Sequence, residues 1–271
     1  MKVMNNMGKI VIKCGGSILD ELTSDFFTAL KNLQEQGNQL IFVHGGGPDI
    51  NQMLAMYEVE PEFHNGLRKT TKQTLEIAEL VLSGLTNRKL VQKLTNNGLT
   101  ALGLNGSDAG CLQADYIDKE TLGFVGEITK VNTRVILNIL QEGIIPVITP
   151  IAIHENGQKL NVNADYAAAA VAQSIEADQC IFVTDVEGIM VNQEVAHSLE
   201  MQKVEQLIEN GTIYGGMIPK VTSAMSALEK GLSSVMIVSG KSKFYDGHKW
   251  KGTKIIRNEW SEYEQSVPNI Q

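Results

Sequence analysis

The sequence predicts an α/β protein, a three-layer αβα sandwich around a mainly parallel central sheet. Three observations carry that expectation. Short β-branched and aliphatic runs alternate along the chain with segments of helical period. Nearly every apolar run exits onto glycine, serine, threonine or aspartate. Two of these exits, Gly15-Gly16 and Gly45-Gly46-Gly47, follow strands separated by a single helix. A right-handed βαβ crossover would put both loops on one edge of a parallel sheet, where ligands of open α/β sheets bind.

Ile10-Val11-Ile12 reads as a buried strand that delivers Lys13 to Gly15-Gly16-Ser17. A glycine pair at a strand end implies either positive φ or a close approach of backbone, and bare N–H groups beside a lysine can hold an anion. Asp20 to Gln36 has helical spacing, with Gly37 as its cap, and Leu40 to Val43 is the next strand, ending in His44-Gly45-Gly46-Gly47-Pro48. Asp49 to Tyr57 is a short helix, and Val59 to Thr71 is an extended excursion turning at Asn65-Gly66, with Arg68 just beyond. Lys72 to Asn97 is the longest helical pattern. Its middle, Leu75 to Leu85, is apolar around most of the circumference, as either a subunit interface or a central core helix would be.

Thr100 to Leu104 is a strand, Cys111 to Ile128 a hairpin, and Val131 to Glu142 a helix. Ile144 to Ile148 is a strand whose Pro146 points to an edge or a bulge. Leu160-Asn161-Val162-Asn163-Ala164-Asp165 opens an alanine-rich helix, where Asp165 alone could be a cap or a dipole partner. Cys180 to Val183 is a strand leaving through Thr184-Asp185 toward Gly188. Helices follow near Val204 to Glu209 and from Val221 to Lys230, with Gly215-Gly216-Met217-Ile218-Pro219-Lys220 between them. Val235 to Val238 is the last clear strand, and the chain from Arg257 onward is polar. Two lobes are expected on one continuous sheet, residues 1–177 and 178–271.

The chain of 271 residues is long enough for a sizeable core, and 43% hydrophobic with 20% charged residues is ordinary for a soluble globular protein. A net charge of −8 and a pI near 5.2 argue against general affinity for nucleic acid or anionic membrane. No apolar run approaches the roughly 18 residues of a membrane span and no leader precedes Lys9, so the cytoplasm is expected. Cys14, Cys111 and Cys180 are odd in number and far apart, which favours reduced thiols over a disulfide framework or a zinc site. Neither the P-loop pattern nor the dinucleotide GxGxxG is present. Glycine loops with Lys13, Lys220 and Asp165 instead suit phosphoryl transfer, in which the protein chiefly positions reactants and neutralises charge.

Lys13-Cys14-Gly15-Gly16-Ser17, the His44 to Pro48 loop, Asn65-Gly66-Leu67-Arg68, Asn161 to Asp165 and Gly216 to Lys220 resemble, in order and spacing, the acetylglutamate kinases of arginine biosynthesis, in the amino-acid kinase superfamily. The resemblance runs from Lys9 to Lys241, resumes at Gly252-Thr253, and is weakest over Ser242 to Lys251. It implies an amino-acid kinase fold and an ATP-dependent phosphorylation of the N-acetyl-L-glutamate γ-carboxylate, with Mg²⁺ accompanying ATP and no metal site of the protein's own. Lys13 would contact the transferring phosphoryl group, Lys220 the leaving side, and Asp165 would hold both lysines. Gly15, Gly16, Gly45 and Gly46 would cradle phosphoryl oxygens through their N–H groups, while Arg68 and Asn161 would hold the acceptor. Thr184, Asp185 and Gly188 would form part of the ATP site. The acceptor carboxylate, with a pKa of about 4.3, is already ionised at neutral pH and needs no general base, which makes His44 a turn or packing residue. Members inhibited by arginine carry an extra N-terminal helix that builds hexamers; with about a dozen residues before the first strand, an arginine-insensitive homodimer is expected. The alternatives are a kinase of acetylaminoadipate or glutamate, and a non-catalytic sensor of the same fold.

Overall fold

A computed structural model describes residues 8–257; the polar segment beyond Arg257 and the residues ahead of Gly8 lie outside the described residues. The chain forms, in order, β1 (Lys9–Cys14), α1 (Ser24–Glu35), β2 (Gln39–His44), α2 (Gly47–Met56), β3 (Phe63–His64), β4 (Leu67–Arg68), α3 (Lys72–Glu79), α4 (Asn87–Asn96) and β5 (Ala101–Asn105). There follow β6 (Leu112–Tyr116), β7 (Val125–Val131), α5 (Thr133–Gln141), β8 (Ile145–Thr149), β9 (Ile151–Ile153), β10 (Lys159–Val162), α6 (Ala164–Ser174) and β11 (Gln179–Thr184). Last come β12 (Met190–Val191), β13 (Glu194–Val195), β14 (Ser198–Glu200), α7 (Met201–Glu209), α8 (Met217–Glu229), β15 (Ser234–Ser239) and β16 (Thr253–Ile256).

Eight strands form one sheet in the order β14-β16-β15-β11-β1-β2-β8-β5. Every pairing in it is parallel except β15 with β16. β1 alternates its side chains between two cores: Val11 packs with α5, α6 and α8, while Ile10 and Ile12 pack with α1 and α4. Helices on both faces of a mainly parallel sheet are the three layers that the sequence predicted. Beside the sheet, β10-β7-β6-β9 close into a small ring, and α2, α3 and the following turn build a third apolar cluster against Ile151.

Several element expectations need correction. Gly16 to Glu21 is a short 3₁₀ turn, and the helix expected from Asp20 starts only at Ser24, because Leu22 is extended (φ −62°, ψ 125°). The helix expected from Val131 starts at Thr133, Val131 being the last residue of β7. Pro146 lies in an interior strand, neither at an edge nor in a bulge. Ile145 donates to Thr100 on the β5 side, so the missing N–H of Pro146 faces β2 just before that ladder begins at Val147. The helix expected from Val221 starts at Met217, which puts Lys220 in its first turn. β14 and β16 escaped sequence reading because each is only three or four residues long.

The long pattern from Lys72 to Asn97 is continuous but not uniform, since Leu80–Thr86 is a π turn between α3 and α4. Val81, Leu82 and Thr86 face inward, whereas Leu80 and Leu85 are about half exposed, at 55% and 52%. Within one chain it is therefore not a helix buried all round. Among the described residues no helix is long and apolar enough to cross a membrane.

Candidate active site

β1 lies between β2 and β11, with Cys14 opposite His44 on one side and Val183 on the other. Their parallel exits put Gly15-Gly16, Gly45 to Gly47 and Thr184-Asp185 side by side at one sheet edge. The first two loops touch: a Cβ on Gly16 would stand 2.6 Å from Gly46 Cα and 3.0 Å from its nitrogen. Close approach, not positive φ, thus explains Gly16, whereas Gly15 has φ −65° and a Cβ there would meet nothing nearer than Ser17 Oγ at 3.9 Å. The Gly45 N–H is spent on the Cys14 carbonyl at 2.9 Å, so it does not face a ligand as expected. The amides of Gly15 and Gly46 have no acceptor among the described residues. Gly46 also caps α2, whose first turn has no side-chain cap and whose dipole favours an anion.

Asp165 reaches this edge because Asn163 starts α6: the Asn163 side chain accepts from the N–H groups of Asp165 (2.7 Å) and Tyr166 (3.3 Å). The capping duty is thereby taken by Asn163, leaving the Asp165 carboxylate to meet Lys13, Nζ to Oδ1 at 2.8 Å. The contact is ionic; Oδ1 is buried with no donor aligned on it. Lys13 also lies over the Phe182 ring, 5.6 Å from its centre.

Lys220 is not held by Asp165 in this structure. Its ammonium pairs with Asp185 at 2.8 Å and donates to the Gly216 carbonyl at 3.1 Å. The hydrogen bond from Lys220 holds the Asp185 carboxyl below its ordinary range. Lys241, at the exit of β15, pairs with Glu21 close by, a charge that the sequence reading left unassigned. Thr184 turns its hydroxyl to the Val186 carbonyl (3.1 Å), shaping the loop. Gly188 is packed against Thr253, whose hydroxyl accepts from Ile189 at 2.8 Å, so it serves the seating of this loop on β16.

Between α2, the β3–β4 hairpin and β10 lies a cavity of ≈ 210 Å³ whose walls include Gly46, Gly47, Arg68, Asn161 and Asp165. Asn65 and Gly66 both have positive φ (49° and 78°), the tight hairpin turn that Asn-Gly predicts. This turn carries Arg68 back over the cavity. One guanidinium nitrogen donates to Asn51 Oδ1 at 2.7 Å and approaches the Gly47 carbonyl at 3.4 Å, and the plane stacks on Phe63 at 4.7 Å. The other, Nη1, is buried without a partner. Burial pulls the Arg68 pKa down, yet a guanidinium stays charged. Asn161 is steadied by donating to Thr70 Oγ1 at 3.1 Å. Asn51 and Phe63 gave no sequence signal, since both act only through a contact made across the hairpin.

His44 is fully buried, and burial lowers its pKa to about 4. At neutral pH the ring is therefore uncharged. The three thiols are buried and unpaired, each pushed up to about 12 chiefly by burial.

A parallel α/β sheet with adjoining glycine loops, two lysine–carboxylate pairs and an arginine-walled cavity at one edge has the make-up of a small-molecule phosphotransferase. The model of the amino acid kinase family matches residues 8–239. The chain is 51% identical over 250 residues to the acetylglutamate kinase of Geobacillus kaustophilus, covering 92% of this chain and 97% of that one. It is 49% identical over 248 residues to the acetylglutamate kinase of Bacillus subtilis, covering 92% and 96%. The crystal structure of smu.665 from Streptococcus mutans superposes with a TM-score of 0.77 at 35% identity, over 92% of this chain and 98% of that one. Carbamate kinase from Giardia lamblia shares the fold at a TM-score of 0.63 and 14% identity, over 94% of this chain and all of that one. The chain belongs to the amino acid kinase family and, within it, to the acetylglutamate kinases.

Proposed function

We propose that the protein transfers the γ-phosphoryl group of ATP to the γ-carboxylate of N-acetyl-L-glutamate, giving N-acetyl-L-glutamyl 5-phosphate and ADP on the route to arginine. The observation that carries this reading is Arg68: a half-buried guanidinium whose Nη1 has no partner, in the wall of a cavity that also reaches Gly46 and Asp165, the partner of Lys13. A carboxylic acid acceptor satisfies that nitrogen with a charge-assisted hydrogen bond.

The acceptor arrives ionised, so its oxygen attacks phosphorus directly as the bond to the ADP oxygen breaks and ADP leaves with the electron pair. The barrier is repulsion between two anions. Lys13, oriented by Asp165, neutralises charge on the moving phosphoryl group, and Lys220 does so on the leaving side. The amides of Gly15, Gly16 and Gly46 and the start of α2 supply fixed dipoles, while Arg68 and Asn161 hold the acceptor. Thr184, Asp185 and the Gly188 loop form the edge on which the nucleotide lies. Magnesium supplies further neutralisation of the ATP phosphates. An ion arriving with ATP would be held by phosphate oxygens and water. Residues 1–177 then bind acceptor and partner subunit and residues 178–271 bind ATP. Three unpaired buried thiols accord with a reducing cytoplasm.

The test is acyl-phosphate formation, trapped with hydroxylamine, from Mg-ATP and N-acetylglutamate, glutamate, N-acetylaminoadipate and aspartate. N-acetylglutamate is expected to give by far the highest kcat/KM; preference for another acid would move the substrate, and no product from any would leave a sensor. In the same assay Arg68→Ala is expected to raise the acceptor KM about 10- to 100-fold, the loss of a charge-assisted pair, with KM for ATP little changed.

The same reading makes the protein a homodimer. Leu80 and Leu85 on the π turn and Leu102 on the edge strand β5 are large apolar side chains roughly half exposed (55%, 52% and 45%). A second copy covers them, and β5 offers an unpaired edge beside them. Sedimentation is expected to give twice the chain mass for the wild type and a shift to monomer for Leu80→Lys/Leu85→Lys; a wild-type monomer would refute the assignment.

A further inference from the structure

Behind the glycine loop that ends β2 lies a buried polar network that takes no direct part in phosphoryl transfer. His44, Thr86, Asn87 and Thr149 are all essentially inaccessible. Polar groups are costly to bury, and here each is matched to a partner. Asn87 Nδ2 donates to the Val147 carbonyl at 2.8 Å and stands 3.1 Å from His44 Nε2, while its Oδ1 accepts from Arg88. That fixes which way the amide points, because the flipped form would set two oxygens against each other. His44 Nε2 must therefore accept a hydrogen bond and carry no proton. The proton is on Nδ1, which lies 3.1 Å from the Gly45 carbonyl oxygen. Thr149 Oγ1 completes the setting at 3.3 Å from Nε2.

The Gly45 carbonyl belongs to the same peptide plane as the Gly46 N–H, and in a trans peptide the two point in opposite directions. Fixing one aims the other. A Cβ on Gly46 would lie 2.6 Å from Leu82 and 3.0 Å from Thr86 Oγ1, so the peptide is backed by packing as well. Thr86 in turn donates to Asp49 at 2.9 Å, tying the network to the first turn of α2.

We propose that His44 is a positioning residue for phosphoryl transfer: held by Asn87 as the Nδ1–H tautomer, it pins the Gly45 carbonyl and so aims the Gly46 amide at the phosphoryl oxygens. This rests on the reading of the two glycine loops as the phosphoryl cradle. It differs from packing alone because it demands one tautomer and one donor. An isosteric side chain without the donor would fill the space and leave the peptide free to rotate.

The first test uses the wild-type protein with ¹⁵N-labelled histidine, the His44 resonances being assigned by loss in His44→Asn. The ring is expected to show a protonated Nδ1 and a bare Nε2 throughout pH 5.5 to 8; an Nε2–H tautomer, or titration in that interval, would overturn the proposal. The second compares His44→Leu with His44→Asn, whose amide can restore the donor to the Gly45 carbonyl. Misaiming one anion donor is expected to lower kcat about 10- to 100-fold in His44→Leu, with either KM changed less than about threefold, and His44→Asn to recover most of the loss. Unchanged kcat in folded His44→Leu, or no recovery in folded His44→Asn, would overturn it. Should His44→Leu fail to fold, Asn87→Leu removes the amide that fixes the tautomer and is expected to lower kcat in the same way; unchanged turnover would overturn the proposal. Wild-type turnover is measured alongside. Absence of phosphoryl transfer there would fell the underlying reading, and this inference with it, whereas active wild type with indifferent variants would fell this inference alone.

Discussion

Replacing Lys13 with alanine is expected to lower kcat about 10³-fold, the scale on which a cation at a transferring phosphoryl group acts. KM for either substrate should change far less, because charge on the equatorial oxygens builds chiefly in the transition state. The substitution also strands the Asp165 carboxylate, whose side chain is only 13% exposed. Some loss of thermal stability is therefore expected beside the kinetic effect. The double change Lys13→Ala/Asp165→Asn separates the two, since it removes the stranded charge. Its melting temperature should recover while its turnover does not. A loss under about tenfold in folded Lys13→Ala would take this residue out of the mechanism.

Gly16→Ala, a change of one methyl group, is expected to be nearly as severe. The new carbon would meet backbone, Gly46 Cα at 2.6 Å, with no flexible side chain to swing aside. Nor can the opposite loop retreat, because Leu82 and Thr86 stand directly behind Gly46. Overpacking of this kind costs about 1 to 3 kcal/mol. The larger consequence is kinetic: displacing anion donors by about 1 Å is expected to lower kcat/KM roughly 10²-fold. Steady-state kinetics with a thermal melt would check both, and wild-type values in both would contradict the contact between the loops.

The fold was legible where sequence signals were local and doubled. β1, β2 and β11 each announce themselves by a β-branched or aliphatic run with a small or polar exit, and the Asn65-Gly66 hairpin by its dipeptide. β14 and β16 were not legible, because strands so short are defined by the neighbour they pair with. The π turn was hidden because a seven-residue change of period inside one long apolar pattern leaves composition untouched. At the candidate site, residue types pointed to one edge of the sheet, where the structure gathers them, but could not distribute partners. That Lys220 goes to Asp185 and Lys13 to Asp165 depends on which loops leave adjacent strands. The spending of the Gly45 amide on Cys14 was equally invisible, since it depends on how two neighbouring strands end. Asn163 was the readable cue that went unused: an asparagine two residues ahead of the aspartate is a cap signal, and a helix already capped leaves its aspartate for other work.

The position of β1 also bears on how the protein is made. Its Ile10 pairs with Leu40 on one side and with Gln179 on the other, so one flank is closed early in synthesis and the other only after most of the chain has left the ribosome. Until then an aliphatic strand edge stands open at what will become the middle of the sheet, which is a hazard for wrong association of nascent chains. A chain ending near residue 177 would keep that edge bare for good. The parts of the chain before and after residue 177 are therefore not separable as folding units, and cellular quality control would meet the protein as a single late-maturing body.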